Sequence, residues 1–188
     1  RPEGEAVARC VGAACPAQAK RAIEHFVSRT AMDVEGVGPA QIEQLVEKGL
    51  VSDPADLYTL ERQRDKLLAL DRMGRTLAEK ILRNIDASRE APLARFIFAL
   101  GIRHVGEHVA DLLAGHFRSL EALEAAGEEE IRQVPGVGPE IAASVARYFA
   151  EPQTHGLLAK LREAGVRPRV PEVREVTAES PIAGKSFV

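Results

Sequence analysis

Val34-Glu35-Gly36-Val37-Gly38-Pro39 and Val134-Pro135-Gly136-Val137-Gly138-Pro139 are two near-copies of one turn. Each places two glycines around one apolar residue and runs into helical periodicity (Ile42, Leu45, Val46; Ile141, Ala142, Val145). Glycine permits positive φ and close backbone approach. The first N–H groups of the following helix have no partner within it and lie at the positive end of its dipole. A turn of this kind is suited to holding a phosphate. Two copies in one small helical chain point to a nucleic-acid backbone, whose phosphates repeat at a fixed spacing. Taken singly, each turn reads equally well as a plain connection between helices.

A dinucleotide-binding turn needs a preceding strand and a third glycine in the G-x-G-x-x-G register. Position 41 is Gln, position 141 is Ile, and neither 30–33 nor 128–133 reads as a strand, so that class is set aside. Weaker relatives of the turn lie between the two clear ones. Leu70-Asp71-Arg72-Met73-Gly74-Arg75 leads into Leu77, Ile81, Leu82 and Ile85, and Gly101-Ile102-Arg103-His104-Val105-Gly106-Glu107 leads into Val109, Leu112 and Leu113. The second glycines, Gly38, Gly74, Gly106 and Gly138, are 36, 32 and 32 residues apart. That regularity predicts an internal repeat of helix, hairpin and helix, each unit burying its apolar stripe only against its neighbours.

The series resembles the helix-hairpin-helix family of DNA-binding motifs, whose hairpin reads h-x-G-h-G with h apolar. Val34 to Gly38 and Val134 to Gly138 match throughout. In the middle two units Arg72 and His104 stand in place of the first glycine. A side chain there either holds the backbone away from a phosphate or, for Arg72, meets the phosphate itself.

Composition predicts an all-α fold: Ala, Leu, Glu and Arg are plentiful, β-branched runs are few, and 188 residues with 45% hydrophobic content can build one or two cores. No apolar run is long enough to cross a bilayer and there are two cysteines, so a cytoplasmic, monomeric, non-membrane protein is expected. Net charge is −3, which on its own does not favour nucleic acid. Its distribution is uneven. Residues 31–60 hold one Lys against six acids, 61–110 hold ten Lys/Arg against seven acids, and 111–150 hold three Arg against seven acids. The basic stretch spans the middle two units and includes Arg72, Arg75, Arg95 and Arg103. Part of it is an ordinary solvated helix surface. The remainder predicts that the middle units supply cations where their hairpins lack glycine, and the outer units supply backbone amides.

Cys10 and Cys15 form a C-x4-C pair ahead of a helical pattern (Ala19, Ile23, Phe26, Val27). A structural zinc takes four ligands, so this pair reads as half of a site whose other half precedes it, with a pair of free thiols as the plain alternative. A disulfide suits a cytoplasmic context poorly. At the other end, Pro168 to Ser180 is rich in proline and charge and reads as a linker. Pro181 to Val188 resembles the opening of a BRCT domain.

The order of half zinc site, four helix-hairpin-helix units, linker and BRCT opening resembles the carboxy-terminal portion of bacterial NAD-dependent DNA ligases. Cys10 to Arg29, Ala31 to Gly38, Gly49-Leu50-Val51 with Asp56-Leu57-Tyr58, and Phe98-Ala99-Leu100-Gly101-Ile102 carry the likeness over the whole chain. It implies a truncated zinc-finger remnant and following helix at 1–28, a tandem helix-hairpin-helix domain at 29–167, a linker at 168–180 and the start of a BRCT domain at 181–188. It also implies zinc at Cys10 and Cys15 in the intact protein, with NAD and magnesium used by an adenylation domain elsewhere. The family's adenylated lysine sits in K-x-D-G; Lys20, Lys48, Lys66, Lys80, Lys160 and Lys185 all lack it. The chain is therefore expected to have no catalytic residue and no ligase activity alone. Its expected role is to grip double-stranded DNA around a nick without reading sequence, through Gly36, Val37, Gly38, Gly136, Val137 and Gly138 as amide donors and through Arg72, Gly74, Arg75, Arg103 and Gly106. The competing classes are a DNA-repair glycosylase, disfavoured because no Asp follows Gly138, another tandem-hairpin protein, and a helical scaffold in which the hairpins only pack.

Overall fold

A computed structural model describes residues 16–170; Cys10, Cys15, the linker beyond position 170 and the terminal octet lie outside the described residues. Ten α-helices and one 3-10 helix occur among them: α1 Pro16–Val27, α2 Pro39–Glu47, the 3-10 helix Pro54–Gln63, α3 Arg64–Leu68, α4 Arg75–Ser88, α5 Leu93–Ala99, α6 Glu107–Phe117, α7 Leu120–Ala125, α8 Glu128–Arg132, α9 Pro139–Ala150 and α10 Pro152–Glu163. The described residues form no extended strand, as the composition predicts, and no helix is long and apolar enough to cross a membrane.

Each of the four glycine turns lies between two helices: α1 and α2, α3 and α4, α5 and α6, α8 and α9. The helices have 5 to 14 residues, a length at which an isolated helix is marginal in water. Their stability comes from the face they bury. In α4, Ala78, Ile81, Ile85 and Ser88 follow the helical repeat into the core; in α9, Ala142, Val145 and Phe149 do so. One hydrophobic cluster runs through all the units, from Ile23 and Phe26 of α1 to Leu158 and Leu161 of α10. Thus α1, grouped by the sequence with the cysteine segment, is packed into the same core as the first turn.

The 3-10 helix is long for its type. Asp53 caps it by accepting from the Ala55 and Asp56 amides, Asp56 returns the contact to the Asp53 amide, and Pro54 begins it. Lys160 of α10 meets Asp53 at 2.5 Å and Asp56 at 3.3 Å, which ties α10 to the start of the 3-10 helix. Residues 166–170, the last of them read as linker, run back alongside 89–93: the Arg167 amide donates to the Arg89 carbonyl, Arg169 to Ala91, and Leu93 to Arg169.

Two glycines hold the units together by having no side chain. Gly36 (φ +93°) lies against α4, where a Cβ would sit 3.0 Å from Ile81 Cγ1. Gly136 (φ +90°) lies against α6, where a Cβ would sit 2.8 Å from Leu112 Cδ1. Both a left-handed backbone and a crowded neighbour disfavour any other residue there. Gly136→Ala is therefore expected to lower stability by about 1–3 kcal/mol in urea unfolding. Gly74→Ala, with ordinary φ and open space around the added carbon, should cost about 1 kcal/mol or less. Equal losses would mean that packing against α6 does not set the requirement.

The chain's two tyrosines are both buried in part by the core. Tyr58 OH pairs with Ser88 Oγ at 2.9 Å while Ser88 Oγ donates to the Ile85 carbonyl, so the tyrosine is the donor. Tyr148 OH donates to the Leu100 carbonyl at 3.2 Å. Burial pushes both phenols up to about 12. A group whose folded pKa is raised keeps the folded state more protonated than the unfolded chain, so its stabilisation is full below the ordinary value near 10 and is lost as pH rises through 12. Tyrosinate absorbance is expected to appear late and together with the loss of helical circular dichroism. Ionisation near pH 10 with the helices intact would contradict the burial of both rings.

Candidate nucleic-acid interface

The four turns share one backbone conformation although their sequences differ. The residue two positions before the helix-capping glycine has positive φ in every turn: Gly36 at +93°, Arg72 at +59°, His104 at +67° and Gly136 at +90°. The glycine that follows is extended and caps the helix: Gly38 (φ −91°, ψ 178°), Gly74 (−73°, 161°), Gly106 (−90°, −179°) and Gly138 (−80°, 168°). Arg72 and His104 do not alter the hairpin; they adopt its left-handed residue at a cost of about 1–2 kcal/mol each. They can do so because their side chains are exposed, whereas the matching position in the outer turns faces Ile81 or Leu112.

The two glycines of each hairpin thus have different requirements. The first packs, at least in the outer turns. The second has neither a conformational nor a packing reason within the chain. A Cβ at Gly74, Gly106 or Gly138 would meet nothing within 4 Å, and at Gly38 only the Gln41 side-chain oxygen at 3.3 Å. None of the four has a side-chain cap on its helix. Among the described residues the amides of all four glycines donate to no backbone carbonyl outside the helices. What remains at each turn is an open helix start with unpaired N–H groups, an arrangement that favours an anion. Pro39 and Pro139 occupy the first helical position, where no N–H is needed.

Val37 and Val137 bury their side chains in the core, so only their backbones can face outward. The Val137 amide donates to the Val134 carbonyl at 3.0 Å; at that position the turn closes on itself instead of offering a donor. Met73 and Val105 do the same to Leu70 and Ile102. Arg72 and Arg75 are exposed, and their side chains make no hydrogen bond or ion pair among the described residues. Arg103 is exposed beside them in the pattern. Among the described residues no group of three or more His, Cys, Asp or Glu is arranged to hold a metal ion.

Side chains from neighbouring units hold the turns in place. Asn84 donates to the Glu35 carbonyl at 2.9 Å, and Lys80 meets the Glu35 carboxylate at 2.9 Å; that contact keeps the Glu35 pKa below its ordinary range. Gln44 of α2 brackets the second turn, accepting from the Asp71 amide at 2.8 Å and donating to its carbonyl at 3.3 Å. Arg95 of α5 donates to the carbonyls of Ala31 (2.7 Å) and Arg29. Sequence reasoning placed Arg95 and Lys80 in the basic run but gave them no task of this kind, and did not single out Gln44 or Asn84. Their partners lie 27 to 66 residues away, beyond any local pattern.

Residues 28–86 match the family described as SAM-like Helix-hairpin-helix tandem, and residues 95–158 match Helix-hairpin-helix motif. Over all 188 residues the chain is 54% identical to a protein named DNA ligase in Symbiobacterium thermophilum and 50% identical to one in Desulforudis audaxviator. Over 184 residues it is 48% identical to a DNA ligase of Geobacter sulfurreducens. It spans 28%, 28% and 27% of the length of these relatives. Matched over its whole length and carrying the hairpin motif in both halves, the chain belongs to the bacterial DNA ligase family, as the part of it that holds the tandem helix-hairpin-helix motifs.

Proposed function

We propose that this chain binds double-stranded DNA without regard to sequence and is the DNA-gripping part of a ligase that seals nicks between a 5′ phosphate and a 3′ hydroxyl. The observation that carries the reading is the set Gly38, Gly74, Gly106 and Gly138. Each is a helix cap with ordinary φ and no capping side chain, and a Cβ would meet open space at three of them and only the Gln41 side-chain oxygen at Gly38. Serine or aspartate would serve the isolated helices better. Glycine suits a cap that must let a phosphate reach the N–H groups behind it. Arg72 and Arg75, exposed and uncommitted among the described residues, add cations at the second turn. Contacts of this kind position a duplex and carry no base information. No lysine of the chain lies in K-x-D-G, so the adenylation chemistry of an NAD-dependent ligase belongs to the remainder of such a protein.

Two sets of variants separate this function from a purely architectural role, because binding and stability move in opposite directions. Gly38→Asp and Gly138→Asp supply a capping carboxylate that favours the helix and occupies the place of a phosphate. Each is expected to hold or raise the urea midpoint while weakening affinity for intact or nicked duplex about tenfold, roughly 1.4 kcal/mol. Arg72→Gly relieves a left-handed arginine, raising stability by up to about 1 kcal/mol. It should also weaken duplex binding and reduce the slope of log affinity against log salt by about 1. Unchanged affinity in all three variants would leave the hairpins as packing devices.

A further inference from the structure

The two halves of the chain that match helix-hairpin-helix families, 28–86 and 95–158, are joined at the first turn by one guanidinium. Arg95 lies in the first turn of α5, whose far end leads through Gly101 into the third hairpin. Its Nε donates to the Ala31 carbonyl at 2.7 Å, one Nη donates to the Arg29 carbonyl, and the Asp33 carboxylate stands 3.9 Å away. The segment it grips is a compact knot of turns. The Asp33 amide donates to the Ser28 carbonyl, the Val34 amide to the Val27 carbonyl, and Asp33 itself is left-handed at φ +53°. Directly after that knot comes the hairpin Val34–Gly38.

We propose that Arg95 is the positioning residue that sets the first hairpin relative to the hairpins of the second half, so that both halves meet one duplex as a pre-formed body. The proposal rests on the reading of the hairpins as DNA contacts. Arg95 is poorly placed to touch DNA itself, since its Nε and one Nη are committed to backbone carbonyls and an acid lies beside it. Nor is it what holds α5 in the fold: Leu93, Phe96 and Ile97 of the same helix are almost wholly buried. Other long-range links in the fold anchor other places. His25 Nε2 meets the Phe98 carbonyl at 2.7 Å, and Lys160 meets the cap of the 3-10 helix. Arg95 reaches the segment that aims the hairpin. Its planar fork bridges two carbonyls at once, which the single ammonium of lysine does not reproduce. A surface fixed in advance does not spend binding free energy on ordering itself.

A double-mutant cycle on the 188-residue chain tests this, with affinity for an intact duplex read at fixed low salt and urea midpoints measured alongside. Arg95→Gln is expected to weaken binding about fivefold to tenfold in the otherwise native chain. In a Gly38→Asp background, where the first hairpin no longer holds phosphate, Arg95→Gln should change affinity no further. Arg95→Lys, which keeps the charge and loses the fork, should restore only part of the affinity; it takes the place of Arg95→Gln in the cycle if the latter does not fold. Equal losses in both backgrounds would overturn the proposal, since Arg95 would then act independently of the hairpin. So would a folded Arg95→Gln chain with native affinity. Gly38→Asp alone reports on the underlying reading: if it binds duplex as tightly as the native chain, the first hairpin is no DNA contact, and the proposal falls with that reading.

Discussion

The closeness of two backbone turns to their neighbouring helices governs the rest of this structure. At Gly36 and Gly136 the chain comes so near Ile81 and Leu112 that a methyl group would overlap them. Short helices of this kind cannot bury an apolar face alone. They become stable only when each pair lies on another, and the closest approach available is backbone on side chain. The turn of the first unit rests on the second helix of the second unit, and the turn of the fourth on the second helix of the third. Both seatings lie on one continuous core that runs from α1 to α10. It also leaves the helix starts at the turns outside that core.

A hairpin with two glycines is therefore two devices in series. The first glycine answers an internal demand of φ and space. Where no neighbour crowds that position, Arg72 and His104 take the same left-handed conformation, so the backbone of the turn is maintained by its surroundings and not by glycine alone. The second glycine answers no internal demand. Its φ is one that any residue adopts, and the space beside it is open at three of four turns. Residues that satisfy the fold and residues that leave room for something else thus alternate within five positions of sequence. A motif defined by both glycines confounds the two causes; the structure separates them.

Much of this was legible because the signals are local. The spacing of Gly38, Gly74, Gly106 and Gly138 marked four helix starts, and all four are helix caps. Pro39 and Pro139 fixed the first helical residue, and the apolar repeat of α4 and α9 pointed to the faces they bury. The illegible parts depend on contacts across the fold. Arg72 and His104 read as departures from a glycine pattern because side-chain identity does not reveal which φ a neighbour permits. The 3-10 helix has a local start signal in Asp53, Pro54 and Asp56, yet its ten-residue length follows from burial of Leu57, Tyr58 and Leu60. The return of 166–170 alongside 89–93 leaves no trace in a proline-rich stretch. Arg95 looked like one member of a basic run, since nothing in its surroundings reports carbonyls more than sixty residues away.

The charge of the chain illustrates the same point about distance. A net of −3 argues against a polyanionic partner if charge is summed over the molecule. Several acids, those of the first unit above all, are answered by cations from elsewhere in the fold. Lys20 meets Glu43 and Glu47, Lys80 meets Glu35, Lys160 meets Asp53 and Asp56, and Arg162 meets Glu124. Exposed pairs of this kind contribute little to stability, but each leaves a nearly neutral spot on the surface. A phosphate senses charges within a Debye length, about 8–10 Å at ordinary salt. At that range the relevant quantities are the uncommitted Arg72 and Arg75 and the open amides of the capping glycines, and the acids paired elsewhere are screened from it. Net charge is set by the whole sequence, whereas the field at a hairpin is set by which cations the fold has already engaged.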